Sequence, residues 1–162
     1  MSDWIFAALV GAAVVHVFEE YVYPGGFPDA LEELLPRATH LFTPKFHVVV
    51  NGLLFVLCLA SAFIGKANLV LSLSVFSLAF ANAVLHIRGV IVTKKYYPGV
   101  ISAALIYIPL MVYAYSLFLS SRQLTWLQAA LSFLLGVLYM VALMVYVLIQ
   151  QVSNTDQQGS RV

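Results

Sequence analysis

Ile5-Phe6-Ala7-Ala8-Leu9-Val10-Gly11-Ala12-Ala13-Val14-Val15-His16-Val17-Phe18-Glu19-Glu20 is the stretch on which the reading of the whole chain turns. An unbroken apolar run leads into a histidine, with adjacent carboxylates three and four positions further on. With its flanks the segment reaches the roughly 20 residues a helix needs to cross a bilayer. It is therefore read as a spanning helix over 3–23. Ionisable groups at that depth cost free energy unless they are paired, protonated or coordinated, so His16, Glu19 and Glu20 are functional candidates. Offsets of three and four share a helix face. At about 100° per residue the two glutamates flank the direction of His16, and all three point into one interior space.

Composition agrees with this opening. Of 162 residues, 62% are hydrophobic and only 9% are charged, with mean hydropathy +0.96; soluble domains carry about a quarter charged residues. A net charge of +1 without a basic stripe excludes nucleic acid as a partner. Cys58 is the single cysteine and lies in an apolar run, so neither a disulfide framework nor a thiolate metal motif is present. Asp3 stands where a cleaved leader would carry positive charge, which favours a retained first helix.

The predicted fold is all-α: a polytopic membrane protein with five transmembrane helices in one bundle, forming a single domain over 1–152. Pro24-Gly25-Gly26-Phe27-Pro28 ends the first span. Residues 29–36 form an amphipathic connector at the interface. Thr43-Pro44 reads as an N-cap followed by proline at the first helical position. Further spans are predicted over 45–64, 67–92, 100–119 and 124–149, with a disordered polar tail over 153–162. Arg37, Lys45, Arg88, Lys94, Lys95 and Arg161 fall on one side of these spans, and Lys66 and Arg122 on the other. The positive-inside rule then predicts an N-out, C-in orientation, and the plasma (inner) membrane of a prokaryote is the expected location.

The second and third spans repeat the pattern of the first. His47-x-x-x-Asn51 and Asn82-x-x-x-His86 each set a histidine and an amide on one helix face. Given the alternating direction of the helices, His16, Asn51 and His86 each lie ~10 Å from the same membrane face at 1.5 Å per residue. A lone histidine in a spanning helix commonly does no more than hydrogen-bond its neighbour. Three such motifs at one depth point instead to a shared site. His16, Glu19, Glu20, His47 and His86 are the predicted metal ligands. Imidazole and carboxylate together suit zinc or iron, with manganese also possible. Glu19, Glu20, Asn51 and Asn82 are the predicted catalytic groups, the amides orienting ligands or polarising the substrate. Arg88 and Tyr97 are substrate-contact candidates, and His40 is read as a surface or lid residue.

His16-Val17-Phe18-Glu19-Glu20, extended through Asn82-x-x-x-His86 and Tyr97-Pro98-Gly99, resembles the HXXEE-motif family of membrane proteins over the first two thirds of the chain. The resemblance implies an intramembrane site and supplies no reaction. A more distant similarity is to the glutamate-dependent intramembrane proteases that process prenylated proteins. They too combine a Glu-Glu pair with His and Asn on separate helices, and His47-x-x-x-Asn51 fits one of their motifs. The arginine that follows their glutamate pair is replaced here by Pro24, so the likeness is one of chemistry only.

These observations predict a metal-dependent membrane enzyme that hydrolyses or oxidises a lipid-like or amphiphilic substrate near the cytoplasmic face, with membrane lipids as its surroundings. Two alternatives use the same cluster: a small proton-coupled transporter, and a metal-free Glu/His hydrolase. Unbroken second and third helices and the lack of a repeat weigh against transport, and Pro109 in the fourth span is the one predicted kink.

Overall fold

A computed structural model describes residues 3–159, and every regular element among them is helical. The order is α1 (Trp4–Tyr21), α2 (Phe27–Leu34), α3 (Pro44–Ile64), α4 (Leu69–Thr93), α5 (Val100–Ser120) and α6 (Trp126–Gly159), with 3₁₀ turns at Thr39–Leu41 and Gly65–Asn68. The five long helices correspond to the five predicted spans. Pro44–Thr93 is helical almost without interruption, yet it is a hairpin. Ser61 donates to the Ser72 carbonyl at 3.0 Å, whereas in a continuous helix those residues would stand about 16 Å apart. Gly65, at φ +48° and ψ −128°, makes the reversal.

Two of the predicted boundaries shift. The connector helix begins at Phe27 rather than 29 and ends at Leu34, because Pro28 is tolerated within its first turn. The backbone of α6 continues to Gly159, through most of the tail expected to be disordered. The apolar stretch ends near Ile149, but no proline or glycine lies between there and Gly159 to stop the helix. Residues 160–162 lie outside the described residues.

Helices α1, α3, α4, α5 and α6 turn large apolar side chains outward, among them Phe63, Val48, Leu105 and Leu134, as a bundle in hydrocarbon requires. α1 is well enclosed, with Ile5, Phe6, Leu9 and Ala13 buried. Its Phe6 ring meets Phe76 of α4 and Phe118 of α5 at 6.0 and 5.7 Å.

Between helices, small and hydroxyl residues do what the hydrophobic effect cannot do in lipid. Tyr115 of α5 bonds Ser77 of α4 and Ser132 of α6, both at 2.7 Å. Gly136 of α6 lies against the α4 backbone so closely that a Cβ there would run into the Ser74 carbonyl and the Leu78 amide.

Helix α5 is interrupted where it borders the site. Ala103–Tyr107 is a single π turn in which the Ile108 amide bonds back to the Ala103 carbonyl. Pro109 follows. It can donate no hydrogen bond, and its ring crowds the carbonyl four residues earlier; the widened turn accommodates both effects. The kink predicted at Pro109 thus takes the form of a π bulge, a feature often found beside functional sites.

Gly136→Ala will destabilise the protein by about 1–3 kcal/mol through overpacking against rigid backbone. Gly11→Ala, where a Cβ meets nothing within 4 Å, will be neutral or slightly stabilising. Thermal unfolding of the purified variants in one detergent compares the two directly.

Candidate metal centre

His16 and Glu20 of α1 and His86 of α4 converge at one end of the bundle, all three buried. Oε1 of Glu20 lies 3.4 Å from Nε2 of His16 and 3.1 Å from Nε2 of His86. One ligand atom from each residue falls within 4.8 Å of the others. The imidazole rings meet edge to face, their centroids 4.7 Å apart.

The far nitrogens determine which way each ring faces. Nδ1 of His86 is 2.7 Å from the Pro98 carbonyl, which can only accept, so this nitrogen carries the proton. Nδ1 of His16 is 2.9 Å from Oγ of Ser102. That hydroxyl donates to Oε2 of Glu19, leaving its oxygen to accept from His16. In the neutral rings both Nε2 lone pairs therefore face Oε1 of Glu20. The Asn82 amide meets the lone pair of His16, whereas Glu20 Oε1 and the His86 lone pair, 3.1 Å apart in a buried space, call for a cation between them, either a proton or a metal. Donors arranged tetrahedrally at zinc-like bond lengths stand about 3.4 Å apart, close to the two distances found. Histidines whose second nitrogen is held by a carbonyl or hydroxyl are characteristic of metal ligands.

Glu19 lies outside this group of ligand atoms and does something else. Oε1 accepts from the Tyr96 hydroxyl at 2.7 Å and the Ile101 amide at 2.9 Å. Oε2 accepts from the Ser102 amide at 2.7 Å and the Ser102 hydroxyl. With four donors on two oxygens this carboxylate is saturated, and it sits at the N-terminus of α5, where the helix dipole favours negative charge. Partial burial, and then the neighbouring Glu19, push the Tyr96 hydroxyl above its usual range, so it remains a donor.

His47 of α3 is also apart from the three. Its Nδ1 is 3.0 Å from the Tyr21 hydroxyl, while its Nε2 is buried without a partner. Asn51 donates to Tyr21 and to the His47 carbonyl, both at 3.0 Å. Asn82 does reach the centre, its Nδ2 lying 2.9 Å from Nε2 of His16. Arg88 is exposed. Tyr97 is buried, its ring 5.7 Å from His86. His40 lies in the Thr39–Leu41 turn.

Several residues of the site gave little sign of themselves in the sequence. In the sequence Ser102 is one hydroxyl in an apolar span, and Tyr96 and Tyr21 are aromatics near span ends. Gly99 belonged only to a turn. At φ +91° it caps α5, and a Cβ there would come within 2.5 Å of the His86 ring and 2.9 Å of His16. The available signal was a glycine immediately ahead of a helix start, followed by a hydroxyl residue in the first turn.

A cavity of about 500 Å³ opens beside the centre, a size typical of small-molecule sites. His86, Asn82, His47, Arg88 and three tyrosines are its polar residues, and leucines of α2 and α3 with methionines of α6 are among its apolar ones. Phe27 of α2 packs near both histidines, its ring 5.3 Å from His86 and 6.1 Å from His47. Helix α2 is held by a Lys95–Glu33 ion pair at 2.8 Å, and the connector behind it packs Ala38 and Phe42 against Val147 of α6.

Fold and site together define an all-helical protein with membrane-spanning helices and a buried histidine–glutamate cluster at one end. Residues 4–114 match the family described as proteins of unknown function with an HXXEE motif, and the chain belongs to that family. The match runs from α1 into α5 and includes His16, Glu19, Glu20, Asn82, His86 and Ser102. No curated protein and no solved structure matches the chain.

Glu19→Gln will cost roughly 3 kcal/mol of stability, since an amide nitrogen would oppose donors that now meet a carboxylate oxygen. Tyr96→Phe removes one donor of four and will cost about 1 kcal/mol. Thermal unfolding of both variants checks the order.

Proposed function

We propose that this protein is a metal-dependent integral membrane enzyme that uses His16, Glu20 and His86 to act on a lipid-like or amphiphilic substrate. The observation that carries the reading is the convergence of two Nε2 lone pairs and one carboxylate oxygen, with each histidine's other nitrogen locked from behind. Two histidines and one glutamate are a donor set of catalytic zinc. They are also the donor set of ferrous oxygenases, and manganese shares much of that chemistry. Bound there, the ion would supply either Lewis acidity for hydrolysis or a redox couple for oxidation.

The chain's own residues divide the remaining work. Glu20 anchors both histidines, and Ser102 and the Pro98 carbonyl keep their tautomers. Asn82 occupies the His16 lone pair in the conformation described. With an ion held by His16, Glu20 and His86, the Asn82 amide would be released from that nitrogen and could donate to a substrate oxygen. The cavity beside His86 receives the apolar body of the substrate and excludes water. The charge pattern across the spans supports an N-out, C-in orientation, and so entry from the inner leaflet of a prokaryotic plasma membrane.

Proton-coupled transport is a second reading, favoured by one observation: the π turn of α5 beside a chain of hydrogen-bonded titratable groups. Proton flux in proteoliposomes no greater than in empty vesicles would remove it.

Elemental analysis of the purified protein is expected to find zinc, iron or manganese near one equivalent. His16→Ala combined with His86→Ala will lose it, and Asn82→Ala will retain it. A well-folded protein that takes up none of these metals on reconstitution sinks the proposal.

A further inference from the structure

His47 lines the same cavity as His86 but carries its proton on the opposite nitrogen, which follows from a chain of three hydrogen bonds. The His47 carbonyl can only accept, so the Asn51 atom 3.0 Å from it is the amide nitrogen. That same nitrogen lies 3.0 Å from the Tyr21 oxygen and donates to it. The Tyr21 hydroxyl hydrogen is then directed to its remaining partner, Nδ1 of His47, at 3.0 Å. With Nδ1 accepting, the neutral ring must carry its hydrogen on Nε2. This nitrogen is buried and makes no hydrogen bond. The Phe42 carbonyl is in its neighbourhood without completing one. A buried donor left unmet is costly, and here it belongs to a residue that lines an apolar cavity.

The rest of the wall indicates what would satisfy it. Among the described residues no carboxylate lines the cavity, and Arg88 adds a cation at its wall. Leu31, Leu34, Leu53 and Leu57 are part of a surface suited to a hydrocarbon chain. We propose that the cavity binds an amphiphile whose polar end presents an acceptor oxygen, a carboxylate or an ester carbonyl, to the Nε2–H of His47, with its chain along the leucine-lined wall. This rests on the reading of the cavity as the substrate site. It adds the chemistry of the head group and makes His47 a substrate-binding residue instead of a metal ligand. Tyr21 and Asn51 are positioning residues that act through the His47 tautomer.

The test uses the full chain in a maltoside detergent, which brings no carbonyl of its own. Nitrogen-15 correlation spectra of the histidine side chains read the tautomers, and titration with dodecanoate, methyl dodecanoate and dodecane reads affinity. His47 is expected as the Nε2–H form. Dodecanoate and the ester should bind on the order of tenfold more tightly than dodecane, the worth of one good hydrogen bond. His47→Phe, which keeps a ring in place, should abolish that preference, and Tyr21→Phe should reduce it.

A proton on Nδ1 of ligand-free His47 overturns the proposal, as does a head-group preference in the wild type no greater than in His47→Phe. Metal content measured on the same preparations separates the two proposals. His47→Phe should keep the metal, because His16, Glu20 and His86 are untouched. Metal-free protein that still prefers dodecanoate refutes the metal centre and upholds the His47 clamp; metal-replete protein without the preference does the reverse.

Discussion

A carboxylate in a membrane-spanning helix has to be satisfied where it stands, and Glu19 is satisfied by the first turn of another helix. Its two oxygens take the amides of Ile101 and Ser102, the Ser102 hydroxyl and the Tyr96 hydroxyl. This makes one side chain of α1 the N-terminal cap of α5, where unpaired amides and the helix dipole both call for a negative charge. It also places the Ser102 oxygen behind His16 and holds the Pro98-Gly99 turn over both histidines. Without that anchor neither imidazole has a reason to present its Nε2 to Glu20. Adjacent glutamates thus have separate tasks: Glu19 builds the wall, and Glu20 faces the space the wall encloses.

The anchor accounts for the irregular course of α5. A helix whose first turn is fixed by Glu19 and whose later turns must pack Phe118 against Phe6 has to absorb Pro109 between the two. The π turn at Ala103–Tyr107 does so next to the site, and Tyr107 leaves it with its ring 4.7 Å from His16. The π turn, the helix register and the position of the His16 imidazole are parts of one geometric problem here.

Much of the fold was legible because lipid imposes its demands on sequence directly. Spans must be long and apolar, and breaks such as Pro24-Gly25-Gly26 and Gly65 stand out against them. The common depth of His16, His47 and His86 was legible for the same reason, since rise per residue converts position into depth. Depth, however, says nothing of azimuth. His47 arrives on α3 and bonds Tyr21 instead, while the Phe27 ring of α2 packs near both it and His86. The separate roles of Glu19 and Glu20 were hidden too. One residue of helical rotation separates them, and only the position of α5 decides which meets a backbone and which meets two rings. Ser102 and Gly99 were illegible because their importance lies in what they leave room for and what they bond from behind.

The two histidines that face the cavity differ in a way their residue type conceals. His86 gives its Nδ1 proton to a carbonyl and so offers a lone pair. His47 receives a hydrogen at Nδ1 and so offers a donor. A lone pair beside a carboxylate collects a cation, and a buried donor in an apolar chamber collects an oxygen. The opposition is set by second partners, a backbone carbonyl in one case and a tyrosine hydroxyl in the other. On the two proposals above, it would give the cavity a polarity along which an amphiphile could be oriented, with its acceptor oxygen at His47 and the neighbouring atoms toward His86. A site that only stored metal would not need a donor on the far side of a leucine-lined space, whereas one that positions a substrate would.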